Sequence, residues 1–372
     1  MQKLLLSFFL LLSVFITQPA FAENKAVVLD ISGVLTPATQ DYLERGMRYA
    51  AAQKAEIIIL QLNTPSGLET VTRHINEAIL SSAIPIVVYV APAGAQAIGA
   101  GTFLLFASHL AAMAPSTNLG AAAPANIGNA NPGTLKGKLT NTLQAQASND
   151  SATYLRSLAE LRKRNADWAE TAVRQAATVS NNEAMQLHVI EIQASDLSDL
   201  LKKLNNRTVT LHKSQQTLHT ANIDIEKLQP DWHYRFLAIV TNPNIAYILL
   251  LVGIYALFVE FIYPGLVVPG VLGSAALLIA LFAFNLLPTN YAGLSLLLMG
   301  MVFIVSEVFI TSYGLLGIGG LAAFAFGSTL LFDANSPGYH ITWQVILIMS
   351  IVSISFFLLV LFLWKRTPNL SS

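Results

Sequence analysis

The sequence predicts an α/β domain, with a parallel sheet and crossover helices, followed by an α-helical transmembrane bundle. Three observations predict it. Short continuous apolar runs, Glu56–Leu62 (EIIILQL) and Ile86–Val90, have the character of strands buried on both faces of a parallel sheet. Segments with apolar residues at helical spacing separate such runs. From Asn244 onward, five apolar segments approach the ~20 residues that a bilayer core demands.

Composition agrees. Of 372 residues, 54% are hydrophobic and only 11% charged, against about 25% charged in a soluble domain. The deficit is localised, which points to a membrane region. The net charge is zero, so neither a nucleic-acid surface nor an acidic tail is indicated. The absence of cysteine excludes disulfides, thiolate catalysis and Cys-ligated metals. The seven histidines show no HExxH-type spacing, and neither metal nor cofactor is expected.

The N-terminus reads as a signal peptide over residues 1–22. Lys3 supplies the positive region, Leu4 to Ile16 the apolar core, and Ala20-Phe21-Ala22 the cleavage site. The next domain, 23–204, is then expected outside the cytoplasm, periplasmic or extracellular. Ala26–Ile31 reads as its first strand. Pro37 opens a helix, Ala38–Gln53, with Tyr42, Leu43, Met47, Tyr49 and Ala50 inward. Glu56–Leu62 follows as a strand, and Asn63-Thr64-Pro65-Ser66-Gly67 is a turn. Val71, Ile75, Ala78 and Ile79 mark a helix over Leu68–Ser81, and Pro85 starts the strand Ile86–Val90. This alternation argues for right-handed parallel crossovers.

Gly94–Ala112 is rich in Ala and Gly and reads as a buried helix leading into a strand at Leu110–Met113. His109 within it reads as a hydrogen-bonded structural histidine. Asn126–Gly137 lacks periodicity and is expected to be a surface loop. Thr140–Asn165 reads as a long helix, with Arg162, Lys163 and Arg164 as a solvated last turn. Asn165 caps a helix over Trp168–Ala177. Ser180-Asn181-Asn182-Glu183 resembles a capping box for Ala184–His188. Val189–Ile192 reads as the terminal strand and Asp196–Leu204 as a helix. Residues 205–243 are expected to form a linker or small β extension.

The bundle spans 244–364, in segments Ile245–Ile262, Leu266–Leu287, Tyr291–Ile310, Leu315–Phe332 and Trp343–Trp364. Five spans place the C-terminus in the cytoplasm, in keeping with Lys365 and Arg366 after the last one. A repeat runs through the bundle: Glu260, Gly270 and Gly273 recur 47 residues later as Glu307, Gly317 and Gly320. It implies two similar helical hairpins packed through glycines. Each carboxylate sits beside a Pro/Gly break and reads as a partner for exposed backbone N–H groups. The sharper alternative is an ion or proton site.

Three stretches carry a family resemblance: LNTPSGL, VVYVAPAGAQAIGAGTFLLFASHLAAMAPSTNLGAAAP and LAELRKRNADWAETAVR. They resemble the NfeD-like family of membrane-bound serine proteases of the ClpP/crotonase class. The resemblance runs from about Val27 to Ile192 and resumes at YPGLVVPGVLG. It implies a ClpP/crotonase-like fold for 23–204, a Ser–Lys dyad, and a stomatin-like (SPFH) membrane partner. It also implies a multi-pass protein of the inner (cell) membrane. Many members end in an OB-type barrel, which is expected to be absent because only the short stretch 365–372 follows the last span.

Against the family pattern, the nucleophile position is Gly99 and the base position matches Gln146. Glycine has no nucleophile, and glutamine is no general base. The oxyanion turn is Thr64-Pro65-Ser66-Gly67, where Ser66 replaces a glycine; a position demanding φ > 0 would strain a serine. Nearby hydroxyls are Ser66, Thr102, Ser108 and Ser116, and nearby amines are Lys136 and Lys138, read as solvated in the loop. The expectation is a catalytically degenerate homologue that binds a peptide or a stomatin-like partner in its cleft. The alternatives are an active endopeptidase with a displaced dyad and a transmembrane scaffold of membrane quality control.

Overall fold

The computed structural model describes residues 24–124, 135–211, 214–263, 265–310, 312–332 and 340–366. The expected signal peptide and residues 367–372 of the tail lie outside these. So does most of the expected loop over 126–137.

The main sheet is six-stranded and wholly parallel. Its strands are β1 (Lys25–Ser32), β2 (Ile57–Asn63), β3 (Ile86–Val90), β5 (Leu110–Met113), β8 (Ile192–Gln193) and β11 (Asp224–Leu228). They stand in the order β11-β1-β2-β3-β5-β8. The apolar runs are buried on both faces as their composition demands. Ile58, Leu60 and Leu62 enter one core, and Ile57 and Ile59 the other.

Helices α1 (Pro37–Ala52), α2 (Glu69–Ser81) and α3 (Ala100–Ala107) make the crossovers. Tyr42, Leu43, Val71, Ile75 and Leu104 pack in the first core. The second is closed by Leu200, Leu201 and Leu204 of α7 (Leu197–Leu204) and by Val209 of β9 (Thr208–Thr210). β9 pairs with β10 (Gln215–Thr217) as a hairpin. Residues 205–243 therefore add this hairpin and the edge strand β11, which lies parallel to β1 in register Lys25 to Asp224.

The expected buried helix over Gly94–Ala112 is corrected. The chain first forms β4 (Gln96–Ile98), turns at Gly99, and only then enters α3. Gly94 and Gly99 both have positive φ and interrupt a helix. β4 also exchanges bonds with Thr64: Thr64 N–H donates to Gln96 O (2.7 Å) and Ile98 N–H to Thr64 O (3.0 Å). β4 joins β6 (Asn118–Gly120) and β7 (Thr178–Ser180) in a small second sheet. The long helix α4 runs Leu135–Leu161, so the backbone at 136 and 138 is helical rather than looped.

Asn165 caps α5 (Ala166–Arg174) through Trp168 N–H, and Ser180 and Glu183 form a capping box on α6 (Asn181–Gln186). The expected strand over Val189–Ile192 begins only at Ile192, because the Val189 and Ile190 N–H groups bond back to Ala184 O.

After α8 (Trp232–Val240) come five apolar helices: α9 (Pro243–Ile262), α10 (Val268–Leu286), α11 (Tyr291–Phe309), α12 (Leu315–Leu330) and α13 (Trp343–Arg366). Among the described residues, three segments are long and apolar enough to cross a membrane: Pro243–Ile262, Val268–Leu286 and Trp343–Val360. Tyr291–Glu307 and Leu315–Leu330 are shorter apolar helices.

The 47-residue repeat is a repeat of structure. A Cβ on Gly253 would stand 3.0 Å from Gly273 O, and one on Gly300 would stand 2.7 Å from Gly320 O. Each hairpin thus closes backbone to backbone. The carboxylates serve the broken backbone, as the plainer reading held. Glu260 accepts from Gly265 N–H (3.1 Å). Glu307 accepts from Gly314 N–H (2.8 Å), Gly317 N–H (3.1 Å) and the Ser312 hydroxyl.

Gly300→Ala puts a methyl against backbone that cannot yield. It is expected to cost about 1–3 kcal/mol, read as a lowered midpoint of unfolding in detergent.

Candidate active site

The candidate site lies where the ends of β2, β4 and β6 meet. The turn after β2 is held on three sides. Thr64 is buried and bridges to β4, its hydroxyl donates to Ser66 O (2.8 Å), and Ser66 O also accepts from Leu35 N–H (3.0 Å). Gly67 is needed for space: a Cβ there would stand 2.6 Å from Leu35 Cβ and 2.8 Å from Ala100 Cβ. The turn therefore touches the first residue of α3.

The strain expected at Ser66 does not arise, because Ser66 is not among the residues with positive φ. The demand for glycine in this turn falls on Gly67 and is steric. Nor is the Ser66 hydroxyl tied to nearby backbone. It makes no hydrogen bond among the described residues and is half-buried.

Gly99 is the pivot between β4 and α3. Its φ of 57° and ψ of −113° suit glycine. Its N–H donates to Gly120 O (3.0 Å), and its carbonyl accepts from Thr102 N–H (3.1 Å). A Cβ could be placed here without a clash. A Cβ would meet Ser66 Cα at 3.8 Å and the carbonyl oxygens of Pro65 and Ala121 at 3.9 Å, ordinary contact distances. Gly120 and Ala121, missed in the sequence, form this far wall. Both have positive φ, and Ala121 N–H is anchored on Ala177 O (2.8 Å). The only local signal was the glycine itself.

The other hydroxyls have structural tasks. Thr102 is buried and donates to Ala97 O (3.0 Å) and Gly120 O (2.8 Å), tying α3 to both walls. Ser108 is buried and donates to Leu105 O and Leu110 O. Ser116 is exposed in a turn with φ 59°. Gln146 lies exposed on α4, one turn before Asp150, which pairs with Arg73 of α2. Among the described residues no hydrogen bond joins Gln146 to Gly99 or to the turn. The side chains of Lys136 and Lys138 lie outside the described residues. Those residues contain no metal-holding cluster of His, Asp and Glu.

Sequence profiles match both halves of the chain. One described as the NfeD1b N-terminal domain covers residues 26–214, and one described as the NfeD integral membrane domain covers 244–364. The chain belongs to the NfeD family. It is 35% identical over 340 residues to "Membrane-bound protease PH1510" of Pyrococcus horikoshii, spanning 90% of this chain and 75% of that protein. It is 29% identical over 367 residues to "Membrane protein NfeD1b" of Bacillus subtilis, spanning 95% and 77%.

Two solved structures of 1510-N, described as a membrane-bound stomatin-specific protease, have the same fold. A lysine-to-alanine variant in complex with a substrate peptide shares 33% identity, covering 59% of this chain and 98% of that one, with a TM-score of 0.51. A serine-to-alanine variant shares 34%, covering 56% and 99%, with a TM-score of 0.50. This NfeD-family chain is thus a membrane-bound protease homologue with the expected parallel α/β domain.

The NfeD cleft depends on α3, whose first turn faces Gly99 and whose last turn is clamped by arginines. The solvated last turn expected for Arg162 to Arg164 is corrected here. α4 ends at Leu161, Lys163 takes φ 59°, and the reversal sends both arginines inward. Arg164 Nη1 donates to Leu105 O (2.7 Å) and Phe106 O (3.1 Å), and Arg162 Nε to Ala107 O (2.9 Å). These cations complement the negative end of the helix dipole. Glu191 neutralises Arg164 through two bonds, of 2.7 and 3.0 Å.

His109 beside them is structural, as expected: its Nδ1 accepts from Ile86 N–H (3.2 Å). Burial, reinforced by Arg162 and Arg164, pushes its pKa down to about 3. The unfolded chain therefore takes up a proton near pH 6.5 that the native state refuses until about pH 3. Stability contributed by neutral His109 is full above pH ~6.5 and falls as the pH drops through that window, by up to ~1.4 kcal/mol per unit. The thermal midpoint should decline from pH 7 to pH 5, and His109→Asn should flatten that decline.

Proposed function

We propose that this chain is a membrane-anchored, catalytically degenerate serine-protease homologue. It holds a peptide segment of a stomatin-like membrane partner in its cleft without cutting it. The observation that carries this reading is Gly99: it turns the chain from β4 into α3 with room for a Cβ beside Ser66, and it has no side chain there. The Gly67 N–H, together with the Ala100 and Gly101 N–H groups that open α3, would offer a polar cradle to a peptide carbonyl. The stomatin specificity of 1510-N supports the partner class. The signal-like N-terminus and Lys365-Arg366 support a periplasmic or extracellular cleft and a cytoplasmic C-terminus in the cell membrane.

A second reading rests on Ser66. Its hydroxyl is unengaged among the described residues, and its Cα is 3.8 Å from where a Gly99 side chain would begin. It would be a displaced nucleophile in an active endopeptidase. The purified full chain, exposed to a fluorophosphonate probe and to an apolar peptide, separates the two. The degenerate reading expects peptide binding with neither labelling nor cleavage. Labelling that is lost in Ser66→Ala would establish the second reading and sink the first.

A further inference from the structure

Helix α8 carries an apolar stripe that no other part of the described chain covers. Trp232, Phe236 and Ile239 follow one another at i, i+4 and i+7 and are 69%, 49% and 55% exposed. The opposite face is fixed to the outer domain. The Tyr234 ring packs on Tyr42 of α1, with centroids 5.5 Å apart. Asp231 caps the helix through Tyr234 N–H (3.0 Å) and pairs with both terminal nitrogens of Arg45 from α1. The Tyr42 hydroxyl donates to Leu228 O (2.7 Å) at the end of β11. The stripe therefore cannot roll inward to hide itself.

Chain continuity says what lies against it. α8 ends at Val240 and the first membrane-spanning helix starts at Pro243. Three Cα steps of ~3.8 Å each bound their separation, so α8 is held where α9 meets the bilayer surface. The residue types fit that level. Tryptophan is favoured at the membrane–water interface, and exposed His233 and Arg235 flank the stripe as the polar border of an in-plane amphipathic helix.

We propose that α8 is an in-plane membrane-contact helix, with Trp232, Phe236 and Ile239 sunk into the headgroup–acyl boundary of the bilayer that α9 enters. Through Arg45, Tyr42 and Asp231 this contact seats the β11 edge of the outer domain against the membrane. The cleft is thereby held at a set height and tilt, and a segment reaches it along the bilayer surface.

The chain has no native cysteine, so a single introduced cysteine carries a nitroxide label at one site. Full-length protein with Phe236→Cys, Ile239→Cys or Met185→Cys is labelled and placed in liposomes. Met185 is exposed on α6, next to the opposite edge of the sheet, and serves as the aqueous reference. Labels at 236 and 239 should show several-fold greater accessibility to oxygen than to a water-soluble nickel chelate, and the label at 185 the reverse. The proposal is overturned if the labels at 236 and 239 meet the nickel chelate as freely as the one at 185. It is equally overturned if they are shielded from both reagents, which would assign the stripe to a protein contact.

Discussion

Arg164→Ala is expected to remove about 3–5 kcal/mol of stability, the usual cost of breaking a buried ion pair. Only 1% of the Arg164 side chain is exposed, and one guanidinium satisfies a carboxylate and two helix-end carbonyls. Its loss leaves Glu191 with the Ala111 N–H (2.6 Å) as its remaining partner. Leu105 and Phe106 lose the cation at the carbonyl end of α3. Against a typical total of about 5–15 kcal/mol, that is a large fraction. Arg164→Lys should recover less than half, because an ammonium cannot span the carboxylate and both carbonyls with a planar fork. Chemical unfolding of the purified protein in detergent measures both variants. A loss under ~1 kcal/mol for Arg164→Ala would contradict the clamp.

If the chain is degenerate as proposed, Gly99→Ser should create a site that reacts with a fluorophosphonate probe. The new Cβ meets nothing closer than 3.8 Å, so the penalty comes from the backbone. A serine at φ 57° and ψ −113° costs ~1–3 kcal/mol relative to glycine, seen as a drop in the thermal midpoint. Labelling should be slow, because the hydroxyl lacks a base. Adding Gln146→Lys should accelerate it by ~10²–10⁴-fold, the range for a positioned general base. No acceleration would place the base position elsewhere along α4. No labelling of either variant would mean that the cleft no longer activates a nucleophile at Gly99.

The strands and crossover helices of the α/β domain were legible because their signals are local. Ile57 to Leu62 is apolar without interruption, and Pro37, Asn165 and Ser180 mark helix starts by chemistry that acts within one turn. Of the candidate site, the sequence carries the residue types alone. A glycine at 99 lacks a nucleophile in any fold. The repeat in the bundle was legible too, since Glu260 and Glu307 stand in corresponding places of two hairpins.

Ser66 and the Arg162–Arg164 run were misread for a shared reason. Which residue of the turn at Ser66 must be glycine depends on how Leu35 and Ala100 crowd Gly67, and Leu35 comes from a different strand connection. Whether three consecutive basic residues face water depends on a single left-handed residue, Lys163, that reverses the chain.

The sequence alone determined the class of the α/β domain, the presence of a membrane region, the glycine repeat and the glycine at 99. Each follows from the residues at hand, through periodicity, hydropathy or the atoms a side chain contains. Tertiary structure decided the rest. It put β11 on the sheet edge beside β1, turned Arg164 onto the carbonyl end of α3, and left the α8 stripe facing outward. These outcomes join residues tens to about two hundred positions apart. They are set by which surfaces remain uncovered once the sheet has assembled, and no local pattern encodes that.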